Sequence, residues 1–211
     1  MSLFYRIAYR FGFTPWEEAS RWGPAATRIA ALLDRETAEH PAGSRALDLG
    51  CGRGHWTLEL ARRGWVATGI DRVPRAISAA RARAAASGQP AAFVVGDVTR
   101  LRDAGIAPPV AFFWDFGTLH GLTPAAWAAA GREITAVAAR RATLVTLAWA
   151  RAWRGPLPRG AGAADIAAAL PGWRIVDEGA FDASGLPRPL RGVAPRWYRL
   201  RREAGPPEGA A

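Results

Sequence analysis

The chain has 211 residues, half of them hydrophobic, and a formal net charge of +10. This length and composition predict a globular α/β domain with a full core and exclude a disordered chain. The single cysteine, Cys51, excludes an internal disulfide, and three separated histidines show no metal-ligand spacing. No run approaches the roughly 18 to 20 apolar residues of a membrane span. The first 13 residues lack the apolar core of a signal peptide, so we expect a cytoplasmic setting.

The basic charge is carried entirely by arginine. All 28 basic residues are arginines, and they occur in pairs at most rather than in one block. Together with the abundance of alanine, this pattern indicates the codon bias of a GC-rich genome. A nucleic-acid surface is typically a massed basic patch, so the distribution of charge argues against nucleic acid as the partner.

The first 23 residues precede the first predicted helix and are rich in aromatic side chains. We expect residues 1–23 to form a lid segment over a ligand crevice. The main domain is predicted over residues 24–203. A tail rich in glycine, proline and alanine, residues 204–211, is expected to fray.

Short apolar runs alternate with helical patterns through the main domain. The helices are predicted at Pro24–Glu39, His55–Arg63, Pro74–Ala86, Pro124–Ala139 and Ala163–Leu170. The strands are predicted at Arg45–Leu49, Val66–Ile70, Ala92–Val95, Val110–Trp114, Ala142–Ala148, Arg174–Phe181 and Arg196–Arg201. This alternation predicts an α/β fold with a doubly wound, mostly parallel sheet of seven strands. No helix separates the last two strands, so we expect an antiparallel hairpin at the sheet edge.

The first predicted strand runs directly into an Asp-x-Gly-x-Gly-x-Gly loop. It starts at Asp48 and holds Gly50, Cys51, Gly52 and Gly54. Alternate glycines let the backbone turn sharply and bring its N–H groups close to a ligand. The loop is therefore predicted to bind a ligand.

Four aspartates fall at the ends of the first four predicted strands: Asp48, Asp71, Asp97 and Asp115. The carboxyl ends of parallel strands form the ligand crevice of an open α/β sheet. A carboxylate in the place of Asp71 can accept hydrogen bonds from both hydroxyls of a ribose, and Asp97 can accept from an adenine amino group. Any one of the four could be only a cap or turn residue. Their recurrence at successive strand ends favours a binding site.

A nicotinamide-dependent dehydrogenase is the nearest alternative for such a strand, loop and helix. Its fingerprint is Gly-x-Gly-x-x-Gly, whereas Gly54 here comes one residue early. Asp48 at the mouth of the loop would repel a diphosphate but suits the ammonium and sulfonium groups of S-adenosylmethionine.

These motifs resemble those of class I S-adenosylmethionine-dependent methyltransferases, which have a Rossmann-like fold. The resemblance implies S-adenosylmethionine as cofactor and S-adenosylhomocysteine as product. The cofactor-binding residues that it implies are Asp48, Gly50, Cys51, Gly52, Gly54, Asp71, Arg72, Asp97, Val98, Asp115 and Trp16.

Two further segments resemble the small bacterial thiopurine and tellurite-resistance branch. They are Thr14-Pro15-Trp16-Glu17 and the run from Asp115 to Leu122, although specific motifs cover only residues 46 to 122. Many relatives have a polar residue in the place of Phe116, so we expect a more apolar acceptor pocket here. The Asn/Asp-Pro-Pro-aromatic motif of base-directed amino methyltransferases and the lysines of ribose-directed ones are absent. A small-molecule acceptor is expected, with its N, O or S atom left open.

His120 is the candidate general base for a hydroxyl acceptor, with Asp115 as the second choice. Histidine titrates near neutral pH and is the commonest acid–base residue. The alternative is that His120 only hydrogen-bonds the loop backbone and orders the crevice. Two other functions also stay open: an RNA methyltransferase, and a catalytically inactive protein that binds the cofactor as a partner subunit. The oligomeric state is undetermined by the sequence.

Overall fold

The computed structural model describes residues 23–153, 158–182 and 192–203. The helices in these ranges are α1 (Gly23–Glu39), α2 (His55–Arg62), α3 (Pro74–Ser87), α4 (Pro124–Val137) and α5 (Ala163–Ala169). The strands are β1 (Arg45–Leu49), β2 (Val66–Asp71), β3 (Ala91–Val95), β4 (Val110–Phe116), β5 (Ala138–Trp149), β6 (Trp173–Ala180) and β7 (Pro195–Arg202). The predicted lid, apart from Gly23, and the predicted tail lie outside the described residues, so both stay predictions.

The seven strands form one sheet in the order β3-β2-β1-β4-β5-β7-β6. Strands β1 to β5 pair in parallel, and β7 pairs antiparallel with both β5 and β6. The predicted doubly wound sheet and its antiparallel edge pair are therefore confirmed. The strand order reverses between β1 and β4, and this switch point is where open α/β sheets open a ligand crevice.

Helices cover both faces of the sheet. Apolar residues of α4 and α5 pack on one face in a single core cluster. Residues of α1 and α2 pack on the other face, where α3 joins α2 in a smaller cluster. Helix starts follow the sequence signals: Pro74 and Pro124 occupy first-turn positions, and the Thr123 hydroxyl accepts a hydrogen bond from the N–H of Ala126 at 3.3 Å.

The predicted boundary between α4 and β5 shows the largest error. Helix α4 ends at Val137 rather than at Ala139, and β5 begins at Ala138 rather than at Ala142. The alanine-rich junction contains neither glycine nor proline, so no local signal marks the change. The start of β5 is set by strand pairing, because Ala138 pairs with Val110 of β4 before the register between the two strands shifts.

Helix α1 is tied to the antiparallel part of the sheet by charged groups. Glu36 and Arg199 of β7 are both fully buried and form an ion pair, and the Thr143 hydroxyl donates to Glu36 Oε2 at 2.6 Å. Closer to the surface, Arg35 reaches Asp177 of β6 at 2.6 Å. Among the described residues, no helix is both long and apolar enough to cross a membrane.

Candidate active site

The glycine loop follows β1 at the switch point of the sheet. Gly50, Gly52 and Gly54 have φ angles of +72°, +53° and +78°. Side chains rarely adopt this left-handed conformation, which is why the loop needs glycine at these positions. The last of them, Gly54, caps the start of α2.

The loop amides are already used within the protein. They donate to protein oxygens: Gly50 and Cys51 to the Ile70 carbonyl at 2.8 and 3.0 Å, Gly52 to Asp71 Oδ2 at 3.0 Å, and Gly54 to the Cys51 carbonyl at 2.9 Å. These four N–H groups therefore stabilise the turn itself, and the ligand-binding role of the loop stays a prediction. A pyrophosphate needs such donors, so the loop is unsuited to a dinucleotide.

Asp48 lies beneath the loop rather than at its mouth. Its side chain is 1% exposed, and Oδ2 accepts a hydrogen bond from the Thr57 hydroxyl of α2 at 2.6 Å. The predicted direct contact at the mouth is corrected, because Thr57 and the loop cover the carboxylate. Burial, with the nearby charges of Asp115 and Asp71, raises the pKa of Asp48 to about 7.

Asp115, at the end of β4, is also fully buried. The Thr146 hydroxyl of β5 donates to its Oδ2 at 2.6 Å, and the N–H groups of Thr118 and Leu119 donate to Oδ1 at 2.8 and 3.2 Å. Burial raises the pKa of Asp115 to about 6, although these hydrogen bonds oppose the shift. The carboxylate therefore shapes the turn after β4 and adds negative charge beneath the crevice.

Asp71 holds the end of β2 against the glycine loop. Its two oxygens accept from the N–H of Gly52 at 3.0 Å and of Val73 at 2.8 Å. These two bonds join the ends of the loop and of β2 at the switch point of the sheet. The ribose role of Asp71 stays a prediction.

Asp97 and Arg72 lie together beyond the end of β3. Arg72 Nε is 3.5 Å from Asp97 Oδ2, and the N–H of Thr99 donates to Oδ1 at 3.0 Å. Burial opposes ionisation, but these contacts lower the pKa of Asp97. Val98 beside it is buried. The residues predicted for the adenine are therefore an ion pair and a buried valine, and their adenine role stays a prediction.

Cys51 lies buried in the loop, and its cofactor-binding role stays a prediction. It is 8% exposed, and burial raises the pKa of its thiol well above the usual value. A Cβ built on Gly69 of β2 would lie 2.8 Å from Cys51 Sγ and 2.6 Å from Thr57 Oγ1. Only glycine at position 69 lets both side chains pack under the loop.

His120 lies in a 3₁₀ turn, Leu119–Gly121, with 2% of its surface exposed. The N–H of Trp149, at the end of β5, donates to His120 Nδ1 at 3.0 Å. In a neutral imidazole whose Nδ1 accepts, the proton is on Nε2. This geometry favours the backbone-ordering alternative, and the general-base role stays a prediction. Trp16 lies outside the described residues.

Three threonines of the site were missed in the sequence: Thr57, Thr146 and Thr118. The first two donate to the buried carboxylates. A hydroxyl inside the apolar run of β5 was a usable signal for Thr146, since buried polar groups need partners. No comparable signal marks the other two.

Beside Asp115, Phe116 belongs to an aromatic cluster. Its ring centroid lies 5.3 Å from Trp56, 6.1 Å from Trp114 and 6.1 Å from Phe181. Phe116 is partly exposed, whereas the other three rings are buried beneath it, so this end of β4 offers one aromatic ring to the surface.

Comparison with known proteins shows similarity to methyltransferases. Residues 46–141 match the family model described as a methyltransferase domain. A 23S rRNA (uracil(1939)-C(5))-methyltransferase of Acidithiobacillus ferrooxidans is 36% identical over 109 residues, which are 49% of this chain and 23% of that protein. The chain therefore spans about a quarter of the length of that curated relative.

Two solved structures share the fold over most of both chains. One is the 1,6-didemethyltoxoflavin-N1-methyltransferase of Burkholderia thailandensis with S-adenosylhomocysteine (22% identity, TM-score 0.69, covering 94% of this chain and 85% of that one). The other is magnesium protoporphyrin IX methyltransferase of Synechocystis with S-adenosylmethionine (20% identity, TM-score 0.68, covering 91% of each chain). Residues 46–141 therefore match a methyltransferase domain, and the described chain shares its fold with methyltransferases whose structures hold S-adenosylmethionine or S-adenosylhomocysteine.

Proposed function

We propose that this chain transfers a methyl group from S-adenosylmethionine to the N, O or S atom of a small molecule with a flat apolar surface. The observation that carries the proposal is the chemistry of the glycine loop. Its N–H groups donate hydrogen bonds to protein oxygens, and carboxylates lie around the loop. Such a site suits a cofactor with an ammonium and a sulfonium group, and disfavours one with a pyrophosphate.

The nature of the acceptor rests on separate support. Phe116, supported by buried aromatic rings, offers a partly exposed apolar ring at the end of β4. Flat rings pack well on such a surface. Both structural relatives are named for small-molecule substrates, a toxoflavin precursor and a porphyrin. Membership of the thiopurine and tellurite-resistance branch belongs to this proposal and rests on the two motifs alone.

The chain's own residues would contribute mainly position and charge. When bound, S-adenosylmethionine supplies an electrophilic methyl group on a positively charged sulfur. Asp71 would accept the ribose hydroxyls, and Asp97 with Arg72 and Val98 would hold the adenine. Asp48 and Asp115 would stabilise the positive charge from beneath the loop. Holding the acceptor in line supplies on the order of 7–11 kcal/mol at best, without a covalent enzyme intermediate.

Cofactor binding tests the first part of the proposal. Calorimetry with S-adenosylhomocysteine should show binding to the unaltered chain and a loss of about 30- to 800-fold in Asp71→Ala, which removes two charge-assisted hydrogen bonds. Asp177→Ala is the matched control, because Asp177 lies on β6 and pairs with Arg35 at 2.6 Å. Unchanged affinity in Asp71→Ala, or binding of NADH instead, would contradict the assignment.

Turnover tests the second part. A panel of phenols, amines and thiols, each in planar aromatic and aliphatic forms, is incubated with methyl-labelled cofactor. We expect labelling of planar acceptors above aliphatic ones of the same functional group. Cofactor binding with no turnover on any acceptor, together with a stable complex with a second protein, would instead support the inactive partner subunit.

A further inference from the structure

A groove separates the second half of α3 from the start of β3, which is an edge strand of the sheet. Its volume is about 360 Å³, and it is lined by Arg81, Ala84, Ala85, Gln89, Pro90 and Phe93 among others. A Cβ built on Gly88, just after α3, would meet no atom within 4 Å, so the groove is open there. The carboxyl ends of the strands, where the cofactor is proposed to bind, are at the opposite end of β3. Neither the motifs nor the comparisons assign a role to this groove.

Arg81 brings a positive charge to the groove. Its Nη2 donates a hydrogen bond to the Phe93 carbonyl at 2.7 Å, and this bond holds the guanidinium against β3. Arg81 forms no ion pair with any residue that the structure describes, and α3 itself carries no acidic residue. A guanidinium has five N–H donors, so most of those of Arg81 can still bind an anion.

The outer edge of β3 adds a backbone donor beside Arg81. Only β2 pairs with β3, so alternate residues of β3 direct their N–H and C=O groups away from the sheet. The Gly96 N–H donates inward, to the Asp71 carbonyl at 3.0 Å, so Phe93, three residues earlier, faces outward. Since Arg81 binds the outward carbonyl of Phe93, the N–H of the same residue is directed to the same side.

The remainder of the groove is largely apolar. Ala84, Ala85 and Pro90 line it with methyl and methylene groups. The carbonyls of Ala84 and Ala85, which would repel an anion, accept from the N–H groups of Gln89 at 3.3 Å and Gly88 at 3.4 Å. Donors beside an apolar wall suit a carboxylate on an apolar body, because arginine binds carboxylates in a bidentate geometry and the body is removed from water.

We propose that this groove binds a small monoanionic molecule, a carboxylate joined to an apolar body. Arg81 and the Phe93 N–H hold the carboxylate, and Ala85 and Pro90 contact the apolar body. Among the described residues that line the groove, only Arg81 is charged, so one negative charge is matched and a phosphate dianion is not. This site is independent of the proposed methyl transfer, because it lies away from the crevice.

The test titrates hexanoate and its neutral amide, hexanamide, into the full chain and measures binding by saturation-transfer NMR. We expect hexanoate to bind at least about tenfold more tightly than hexanamide, and Arg81→Gln to weaken hexanoate about 10- to 100-fold, because hydrogen bonds to a charged group are lost. Ala85→Leu fills the groove from an exposed helix position and should also weaken hexanoate. Arg83→Gln is the matched control, because Arg83 is exposed on the same helix outside the groove, and it should leave the affinity unchanged.

Four outcomes would overturn the inference. They are no binding of hexanoate at millimolar concentrations, equal affinity for hexanoate and hexanamide, and unchanged affinity for hexanoate in either Arg81→Gln or Ala85→Leu. The fourth is displacement of hexanoate by S-adenosylhomocysteine, which would place the probe in the crevice. Melting temperatures of the variants ensure that a loss of binding is not a loss of folding. Failure of the unaltered chain to bind S-adenosylhomocysteine is a different result, because it contradicts the proposed function and not the groove.

Discussion

The two buried carboxylates beneath the glycine loop are held in an unfavourable environment. The pKa values of about 7 for Asp48 and about 6 for Asp115 lie well above the ordinary value of 3.8. The folded chain therefore binds more protons than the unfolded chain between pH 4 and pH 7. Across that range these two groups lower the free energy of unfolding as the pH rises. A bound cation offsets the cost, because it favours the ionised forms.

Cofactor affinity should consequently depend on pH. S-adenosylmethionine should bind roughly tenfold more tightly at pH 7.5 than at pH 6, because binding must expel a proton from Asp48 at the lower pH. Calorimetry in two buffers of different ionisation enthalpy should register this proton release. Asp48→Asn should flatten the profile. A constant affinity from pH 6 to pH 7.5 with no proton release would contradict the argument.

The buried imidazole of His120 makes a second prediction possible. Because Nδ1 accepts from Trp149, His120→Ala should lower kcat by loosening the crevice, while the shape of the pH–rate profile stays the same. His120→Asn, whose side-chain oxygen can accept the same N–H, should recover part of the rate. If His120→Ala instead loses the acidic limb and falls about 10²- to 10⁴-fold in kcat, His120 is the general base after all.

The residues of the site were predictable to different degrees. The strand-end aspartates and loop glycines follow a spacing that backbone geometry imposes, so they could be read from the chain. Thr57 and Thr118 could not, because each reaches its neighbours only when separate elements pack together. The burial of Asp48 could not be predicted from the sequence either, because it depends on the Thr57 hydroxyl of the next helix lying over the carboxylate.

At the level of elements, α1 is attached to the sheet by a buried ionic network. Burial opposes ionisation of Glu36, but hydrogen bonds from His40, Arg199 and Thr143 lower its pKa. The stabilisation is therefore present above the ordinary pKa near 4.5 and is lost as the pH falls through the lowered value. Arg28 of the same helix lies 4.5 Å above the ring of Trp197, which adds a contact to β7.

Neutralising Glu36 should be strongly destabilising. Glu36→Gln leaves Arg199 buried with its charge only partly compensated, and we expect a loss of about 3–5 kcal/mol in the free energy of unfolding. Glu39→Gln is the matched control, because Glu39 is partly exposed and pairs with the same Arg199 at 2.5 Å; it should cost less than about 1 kcal/mol. Urea denaturation measures both. Equal losses in the free energy of unfolding for the two variants would show that the burial of Glu36 does not strengthen its contribution to stability.

Most elements were predictable because the apolar runs and the proline and glycine residues at helix ends indicate the same element boundaries. Pro74 and Gly88 bracket α3, and its predicted end differs from the observed one by a single residue. The junction between α4 and β5 was not predictable, because Ala138 and Ala139 favour a helix by propensity although they lie in a strand. Only pairing with Val110 distinguishes the two. The position of β7 between β5 and β6 likewise depends on long-range pairing.

On the scale of the whole molecule, the excess of arginine is largely dispersed. Several arginines are engaged in ion pairs, such as Arg102 with Glu133 at 2.6 Å and Arg151 with Asp165 at 2.8 Å. Helix α3 is an exception, since it carries Arg75, Arg81 and Arg83 on its exposed side and has no acidic residue. A dispersed charge of this kind gives weak, sequence-independent attraction to polyanions.

We therefore expect RNA to bind weakly and with a steep dependence on salt. Affinity for tRNA should fall sharply from 50 to 200 mM salt, as expected for counterion release. The double variant Arg75→Gln/Arg83→Gln should reduce the salt slope without changing affinity for S-adenosylhomocysteine. Methyl incorporation into purified rRNA or tRNA at physiological salt would reverse the choice between small-molecule and RNA acceptors.

The ion pair between Glu36 and Arg199 joins residues 163 positions apart. Since β7 fills the gap between β5 and β6, the sheet stays open until residues 195–202 have been synthesised. Until then Glu36 has no arginine at this site, and β6 has no neighbour linking it to β5. During synthesis at about 5–20 residues per second, the first five strands and α1 are complete well before the last strand leaves the ribosome. Loss of a short C-terminal stretch during translation would therefore leave an open sheet edge and an unpaired buried acid, the kind of species that chaperones and proteases recognise.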